Sequence, residues 1–375
     1  HEVLVRVLGK QMRRVPARGT VYAGETLLAL PTYRPSIVLA SGITVQLYGG
    51  AQASLASHDA DGVPEIRLES GRLVLLSATQ PEMRVRLRAG DQEGTVTFGQ
   101  EDAVLAIEAV HRLVEGNDPE QEPAPVLVDL YVVSGEIAWH GGQGQAETIR
   151  GKAHWPLNRG QPSVGKKAED LPVWIEESDL TPIERRAAAA VENYLHTDKP
   201  VEPALVDLLA HRMQENNILA VQSLAFLGQF DPLVPLLNDP GRRRLDNSDI
   251  VSLRAALARG PETAAAVRQA FESVRGQKQG GELYRMLWGY SPEQLEEGGA
   301  AQLIEWLSHE DLDYRVLSFW NLHHITGFSY YYKPEANEAK RRTPVQRWRQ
   351  KLEAGLIVPK AEPSPAAPPR KRAGR

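Results

Sequence analysis

Two short stretches contain residue types that could do chemistry, and both depart from the pattern that the chemistry requires. In GQPSVGKK (160–167), Lys167 stands where a phosphate-binding loop needs the Ser or Thr that holds magnesium. In HEDLD (309–313), Asp313 replaces the last ligand of a zinc-protease motif, and the stretch precedes a predicted helix instead of lying inside one. Acidic residues at that position stabilise the start of a helix. We therefore expect no catalytic residue, no metal and no cofactor.

The segment FSYYYKP (328–334) is the first candidate binding surface, because it places four aromatic residues within five positions. Exposed tyrosines stack on sugars or peptides with little loss of side-chain entropy. The alternative, which we favour, is that these rings close the end of a helical array by packing on Trp320 and Trp348. The candidate partner-binding residues in this region are Trp320, Tyr330, Tyr331 and Tyr332.

Trp139 and Trp155 are the residues of the second candidate surface. They lie next to His140 and His154 at the end of a predicted run of strands, where a cluster of Trp and His could bind a sugar or a peptide. Aromatic rings at strand ends more often cover the core, and we favour that interpretation.

The composition is that of a globular protein with two or three domains. The chain has 375 residues, of which 42% are hydrophobic, and its formal net charge of -5 gives no support to nucleic-acid binding. It has no cysteine, so disulfides and thiolate metal sites are excluded. No apolar run reaches the roughly 18 residues that span a bilayer. Because the chain begins at His1, we expect a piece of a longer protein, with an N-terminal signal or membrane anchor preceding it.

Residues 20–157 alternate apolar with small or polar side chains, which predicts short β-strands with one face in a core. The pairs Ser41-Gly42, Ser70-Gly71 and Ser134-Gly135 each precede such an alternating run. A ligand loop would more naturally occur once. We therefore interpret the three pairs as structural, marking a tight turn or close strand packing that needs a residue without a Cβ atom.

From Thr181 onward the apolar residues follow helical spacing. TPIE (181–184), SPEQ (291–294) and TPVQ (343–346) each combine an N-cap hydroxyl, a proline and a capping-box Glu or Gln, so they predict three helix starts. The spacing predicts helices at 182–196, 202–212, 215–228, 231–238, 248–258, 261–275, 281–289, 292–307, 312–325 and 335–354.

The predicted fold class is α+β in two separate domains. An all-β domain over 1–157, built as a sandwich, jelly roll or short solenoid, precedes an irregular α-helical solenoid over 181–357. Residues 158–180 are predicted to form a linker docked between the domains through Trp174. Residues 358–375 are predicted to form a disordered, basic, Pro/Ala-rich tail.

The β half resembles the FecR-like domain, an extracytoplasmic module of bacterial surface-signalling proteins. In that family an apolar, small, glycine, apolar phrase recurs between strands, followed by a Gly-Thr-x-Phe segment and a Val-x-x-Gly-x-Val strand. Gly94–Phe98 and Val132–Ile137 fill these last two roles here. The matching stretches are GETLLALPTYRPSIVLASGITVQLYGGAQASL (24–55), PEIRLESGRLVLLS (64–77), GTVTFGQEDAVLAIEA (94–109) and LYVVSGEIAWHGGQGQAETIRGKAHWPL (130–157).

The helical half resembles the HEAT-like regions that follow such domains in envelope proteins of planctomycete-type bacteria. LIEWLSHEDLDYRVLSFWNLHHITG (303–327) has a first helix, an acidic turn and Arg315 early in the second helix, as in a HEAT-type repeat. HHITGFSYYYKPEANEAKRRTPVQRWRQKL (323–352) follows with an aromatic-proline turn and a tryptophan-bearing helix.

These resemblances imply a non-enzymatic binding, scaffold or signal-sensing module of the bacterial cell envelope. The implied partner is a protein or a cell-wall polymer, with no nucleic acid, and the implied location is periplasmic or envelope, with membrane contact only through a preceding N-terminal anchor. FecR regulators also carry an anti-sigma segment and a transporter-contacting signalling domain, and neither is visible here. The alternatives are a carbohydrate-active or other hydrolytic enzyme built on the β domain, and a cytoplasmic scaffold.

Overall fold

The computed structural model describes residues 2–9, 11–56, 62–77, 82–141, 147–157, 166–168, 170–176, 180–242 and 247–359. Most of the stretch 160–167, and the predicted tail from residue 360 onward, lie outside the described residues. Within the described residues, strands come first along the chain and helices follow, so the predicted α+β fold class is confirmed. The HEAT-like arrangement of the helices remains a prediction.

The strands are β1 Leu4–Leu8, β2 Gln11–Arg14, β3 Thr26–Ala29, β4 Ser36–Val38, β5 Ile43–Ala56, β6 Glu65–Ser77, β7 Met83–Ala89, β8 Gln92–Phe98, β9 Val104–His111, β10 Val126–Ser134, β11 Glu136–Gly141, β12 Glu147–Arg150, β13 Ala153–Leu157 and β14 Lys166–Lys167. The helices are α1 Val173–Glu176, α2 Pro182–Glu192, α3 Val201–Leu208, α4 Gln214–Phe226, α5 Ser248–Leu257, α6 Pro261–Arg275, α7 Gln277–Leu287, α8 Pro292–Gln294, α9 Ala300–Trp306, α10 Leu312–Thr326 and α11 Glu338–Glu353. A 3-10 helix, Val234–Asn238, follows α4, and a π-helical segment, Leu295–Gly299, joins α8 to α9.

The strands form one mixed sheet whose two branches share a main core. Its main path runs β12-β11-β8-β7-β6-β5-β3-β1-β2, and β9, β10, β13 and β14 branch from β6. Every pair is antiparallel except β6 with β7. Apolar residues alternate along the strands, as in Ile43, Val45 and Leu47 of β5, and inward side chains of both branches pack in one cluster.

A bulge in the long β5–β6 pair allows the two halves of β6 to pair with strands of different branches. Residues 65–68 of β6 pair with β7, and residues 71–76 pair with β9. Between these halves the β5–β6 register jumps from Tyr48 opposite Arg72 to Gln52 opposite Ser70. Such a bulge bends and twists a strand, so each half of β6 can follow a different neighbour.

The three Ser-Gly pairs are structural, as the sequence predicts. Gly42, Gly71 and Gly135 have φ values of 91°, 98° and 83°, in the left-handed region that glycine adopts without strain. Gly71 also needs the space: a Cβ atom there would lie 2.5 Å from the Cα of Ala51. At Gly135 a Cβ atom would lie 2.6 Å from that of Ala103.

Helix α1 carries the tryptophan that we expected to dock. The Trp174 side chain is buried with Val74 and Ala106 on the sheet face opposite the main core. Its ring meets the edges of Tyr48 and Tyr131 at centroid distances of 5.2 and 6.4 Å.

Two of the three predicted helix starts are confirmed. Thr181 and Ser291 each form a complete capping box, with Glu184 and Gln294 as the reciprocal acceptors. The third prediction, at Thr343, is wrong because Pro344 lies inside α11.

Helix α11 starts five residues before Thr343, at Glu338. The side chain of Asn337 accepts a hydrogen bond from the Lys340 N–H at 3.0 Å and provides the cap that the sequence placed later. A proline inside a helix removes one N–H, and its ring crowds the carbonyl four residues earlier, so Pro344 costs α11 both a hydrogen bond and local distortion.

Arginines donate to the backbone carbonyls that end several helices. Nη1 of Arg14 donates to the carbonyl of Glu192, the last residue of α2, and to that of Leu195 just beyond it, both at 3.2 Å. Arg254 donates to the Leu287 carbonyl at the end of α7. These carbonyls have no intrahelical donor and carry the negative end of the helix dipole, which favours a cation there.

The described chain divides into two compact units. Unit 1 holds the sheet and helices α1 to α7, and unit 2 holds residues 115–117 together with helices α8 to α11. The domain boundaries predicted at residues 157 and 181 remain predictions. Among the described residues, no helix has both the length and the apolar character that crossing a bilayer demands.

We predict that Gly135→Val will lower the free energy of unfolding by more than about 4 kcal/mol, because it adds a backbone clash at Ala103 to left-handed strain. Gly151→Val is the matched control. Gly151 has a φ of 78°, but a Cβ atom there would meet nothing within 4 Å, so only strain of about 2 kcal/mol is expected. Urea unfolding followed by circular dichroism measures both variants. Equal losses would mean that strain alone explains Gly135.

We predict that the ion pair of Glu120 with Arg268 in unit 1 stabilises the fold at neutral pH and no longer does so in acid, where Glu120 is protonated. Arg268 donates from Nε at 2.8 Å and from Nη2 at 3.1 Å, and these hydrogen bonds lower the pKa of Glu120. The pair therefore contributes above the carboxyl pKa of the unfolded chain, and the contribution is lost as pH falls through the lower folded-state pKa.

Glu120→Gln should accordingly lower the free energy of unfolding at pH 7 by about 1 kcal/mol, since Arg268 is partly exposed and screened by water. The loss should shrink to zero in acid, as measured by urea unfolding across a pH series. Glu101→Gln, at an exposed turn position of unit 1, is the control and should show no such pH-dependent loss. A deficit of Glu120→Gln that persists unchanged in acid would contradict the ion-pair explanation.

Candidate functional site

The HEDLD stretch is a turn before a helix, as predicted. Asp311 is the N-cap residue of α10, and Asp313 lies in the first turn and accepts a hydrogen bond from the Tyr314 N–H at 2.9 Å. The imidazole of His309 stacks on Tyr314 with ring centroids 4.0 Å apart, and its Nδ1 accepts from the Asp311 N–H. Across the described residues, no group of three or more His, Asp or Glu could hold a metal ion.

The predicted aromatic segment follows the end of α10. Gly327 closes this helix in the left-handed conformation with a φ of 74°, and its N–H donates to the His323 carbonyl at 2.7 Å. The Phe328 N–H donates to the hydroxyl of Thr326 at 3.2 Å. The chain therefore leaves the helix along a defined path into residues 328–332.

Residues Ser329–Tyr332 form a tight turn with two tyrosines at its centre. The Tyr332 N–H donates to the Ser329 carbonyl at 2.9 Å, and Tyr330 and Tyr331 have φ values of 48° and 57°. Turns with positive φ at both central residues usually carry Asn-Gly, because a side chain there costs about 1–2 kcal/mol per residue. Strain of this kind concentrates where a side chain is presented for a function.

Two of the three tyrosines hold the turn in place. Tyr332 is 3% exposed, its hydroxyl donates to the Leu307 carbonyl at 2.6 Å, and burial raises its pKa to about 12. The edge of Tyr330 meets Trp348 at a centroid distance of 4.8 Å and an interplanar angle of 81°. Both rings are thereby tied to the helices of unit 2.

Tyr331 and Phe328 remain available to a partner. The Tyr331 side chain is 87% exposed and Phe328 is 46% exposed. Phe328 stacks on Tyr330 at 5.6 Å, and the ammonium of Lys351 lies 5.3 Å from the Phe328 ring centroid. We call Phe328, Tyr330, Tyr331 and Trp348 the aromatic corner.

Two arginines brace the base of the aromatic corner. Arg315 donates to the Pro334 carbonyl at 2.9 Å and to the carbonyls of His309 and Glu310 at 2.6 Å, while burial lowers its pKa. Arg341 donates to the Leu307 carbonyl at 2.9 Å and to the Ala336 carbonyl at 3.0 Å. Arg315 is the arginine that the HEAT-like resemblance singled out, and here it connects the turn before α10 with the chain after the corner.

Helix α11 gives the surroundings of the corner a positive charge. It carries six basic residues against the acidic Glu338 and Glu353, on a chain whose formal net charge is -5. The basic residues are Lys340, Arg341, Arg342, Arg347, Arg349 and Lys351. A partner surface with acidic residues around an apolar centre would match this arrangement.

Trp320, the fourth predicted residue of this region, lies on another side of α10. Its ring stacks on His324 at a centroid distance of 4.8 Å, and Nε2 of His324 lies 3.7 Å from Oε1 of Glu115. On α10 it is Phe319 that contacts the tyrosine segment, and its ring lies 5.1 Å from that of Tyr332. Neighbouring helical positions point about 100° apart, so Trp320 and Phe319 face different directions.

Trp139 and Trp155 lie in the core of unit 1. Their side chains are 5% and 0% exposed, and Nε1 of Trp155 donates to Glu147 at 2.8 Å. Gly94 of β8 makes room for the Trp139 ring, since a Cβ atom there would lie 2.4 Å from it. These two rings therefore cover the core, which is the interpretation that we favoured from the sequence.

The sequence did not identify Phe328 and Lys351 as members of the site. Phe328 belongs to the aromatic segment, but the sequence does not show that its ring is exposed while that of Tyr332 is buried. Lys351 lies nineteen residues after Tyr332 and reaches the corner only because α11 packs beside it.

Comparison with known proteins adds a distant likeness. No protein-family model matches the chain, and no curated protein matches it. Two solved structures from Parabacteroides distasonis, each described as a "putative anti-sigma factor", match with a TM-score of 0.29 and 12% identity over 50% of this chain and 91% of theirs. At this score the likeness assigns no function to the chain.

We predict that Tyr331→Gly will leave the free energy of unfolding unchanged or raise it by up to about 1 kcal/mol, because it removes left-handed strain. Tyr22→Gly is the control. Tyr22 is 63% exposed and lacks a positive φ, so the added freedom of the unfolded chain should cost about 0.5–1 kcal/mol. Thermal and urea unfolding of both variants provide the measurement. Equal destabilisation of both would show that Tyr331 is unstrained.

Proposed function

We propose that the protein is a non-enzymatic binding module of the bacterial cell envelope, and that the aromatic corner of unit 2 holds a protein partner. The observation that carries this proposal is the turn that keeps Tyr331 87% exposed despite positive φ values at Tyr330 and Tyr331. A strained turn that only closed the end of the helices would gain nothing from an exposed tyrosine at its tip.

The chemistry of the corner favours a protein over other partners. Tyrosine and tryptophan dominate the energetically important centres of protein interfaces, since their rings are large and rigid. Phe328 adds a second half-exposed ring, the ammonium of Lys351 lies beside it, and α11 carries five further basic residues. The envelope location rests on the FecR-like resemblance of the β half, and a sensing or scaffold role would follow from it.

Site-specific photo-crosslinking in the source cells tests this proposal. A photoreactive phenylalanine replaces Tyr331 in one variant and Tyr22, an exposed tyrosine of unit 1, in the control. We expect one protein adduct of defined mass from position 331 and none from position 22. Phe328→Ala in the 331 variant should reduce the adduct by about tenfold, the effect of losing roughly 1.4 kcal/mol at an aromatic anchor.

The nature of the adduct decides between the alternatives. An adduct that glycan hydrolases remove, and that proteases leave unchanged, would replace the protein partner by a cell-wall polymer. A cytoplasmic protein in the adduct would overturn the envelope location. Equal adducts from both positions, or none from 331, would overturn the aromatic corner as a binding surface.

A further inference from the structure

A cleft in unit 1 has the features of a ligand site. It has a volume of about 490 Å³ and opens between the β5–β6 bulge on one side and helices α4 and α5 on the other. Residues of the cleft wall include Gly50, Gly71, Phe226, Val251, Ala255 and Arg259.

The bulge supplies one wall that is made of backbone. Gly49, Gly50 and Ala51 of β5 lie in the register jump, opposite Gly71 of β6. A Cβ atom at Gly50 would meet nothing within 4 Å, so this position faces open space. Backbone without side chains allows a ligand to approach closely, and bulges of this type occur often beside binding sites.

Arg259 supplies one positive charge to the cleft, which Arg72, His111 and Glu184 also line. Its Nη1 donates to the Phe226 carbonyl at 2.6 Å and its Nη2 to the Ala225 carbonyl at 2.8 Å, at the end of α4. Within the described part of the chain, no carboxylate forms an ion pair with this guanidinium. Burial lowers its pKa to about 10, with no acidic neighbour acting in the opposite direction.

Contact with the end of α4 explains only some of the hydrogen-bonding capacity of Arg259. A cation is favourable beside the last carbonyls of a helix, and two N–H groups of Arg259 serve that purpose. A guanidinium has five N–H donors in a planar fork. Among the described residues no other hydrogen-bond acceptor contacts the guanidinium, which lies 5.6 Å from the Phe226 ring centroid and lines the cleft. A fork of this kind fits a carboxylate.

We propose that this cleft binds a monocarboxylate with an apolar body, whose carboxylate group pairs with Arg259. The walls contributed by Val110, Ala225 and Val251 suit an apolar body. A single charge is favoured because the other arginine of the cleft, Arg72, is already paired with Glu108 at 2.5 Å. Glu184 of α2, which also lines the cleft, disfavours a doubly charged group such as phosphate.

Titration calorimetry on the intact chain tests the proposal with 4-phenylbutyrate and its uncharged match, 4-phenylbutanamide. We expect the acid to bind and the amide to bind at least about tenfold more weakly, since a charged hydrogen-bonded pair is lost. A peptide ending in leucine, with a free or an amidated C-terminus, forms the second arm. If the free peptide binds more tightly than 4-phenylbutyrate, the source is a protein C-terminus, and the reverse order indicates a small organic acid.

Three variants locate the binding. Arg259→Gln should lose at least about tenfold in affinity for the acid. Ala255→Trp should lose as much by filling the cleft from an exposed position of α5, and it leaves Arg259 in place. Arg186→Gln removes an exposed arginine elsewhere in unit 1 and should bind as the unmodified chain does.

Several results would overturn the proposal. These are equal binding of acid and amide, no binding of either, tighter binding of inorganic phosphate than of the acid, and full binding by Ala255→Trp. Thermal unfolding is measured for each variant to detect a loss of fold. If Arg259→Gln does not fold, the binding measured for Ala255→Trp decides whether the ligand occupies the cleft.

Discussion

The close approach of Gly71 to Ala51 is the constraint on which the sheet depends. A Cβ atom at position 71 would lie 2.5 Å from the Ala51 Cα, so β5 and β6 can approach this closely at the bulge only because position 71 has no side chain. This contact lies at the register jump, on one side of which β6 pairs with β7 and on the other with β9. Because both branches of the sheet join at β6, their inward faces share one core. The wall of the Arg259 cleft is a by-product of the same bulge.

Much of this fold could be predicted from sequence because the signals were local. Alternation revealed the strands, the repeated Ser-Gly pairs revealed positions that need a residue without a Cβ atom, and two capping boxes located Thr181 and Ser291 as helix starts. The same local signal failed at Thr343, where Asn337 had already capped the helix. A capping motif shows that a helix could begin at a residue. Contacts with neighbouring residues decide whether the helix does begin there. The bulge and the branching of the sheet depend on distant strands and had no local signal.

The candidate sites were less predictable, since exposure is a property of the packed molecule. The sequence identified Tyr330, Tyr331 and Tyr332 as one aromatic run, and the turn separates them into one exposed ring between two covered ones. Trp139 and Trp155 looked similar to them in sequence and proved to be core residues. Arg259 had no sequence signal at all, because an arginine after a helix is common and only the three-dimensional structure shows that no acidic side chain among the described residues pairs with it.

Guanidinium groups connect helix ends and the turns beside them to neighbouring elements through backbone carbonyls in both units. Each group contacts two or more carbonyls, or a single helix-ending one, and the planar fork of arginine can address them at once. A lysine ammonium is a compact point charge on a flexible stem and cannot reproduce that geometry. Exchange of arginine for lysine, which most surfaces accept, is therefore a disruptive change at the helix junctions. The arginines concerned are Arg14, Arg254, Arg259, Arg315 and Arg341.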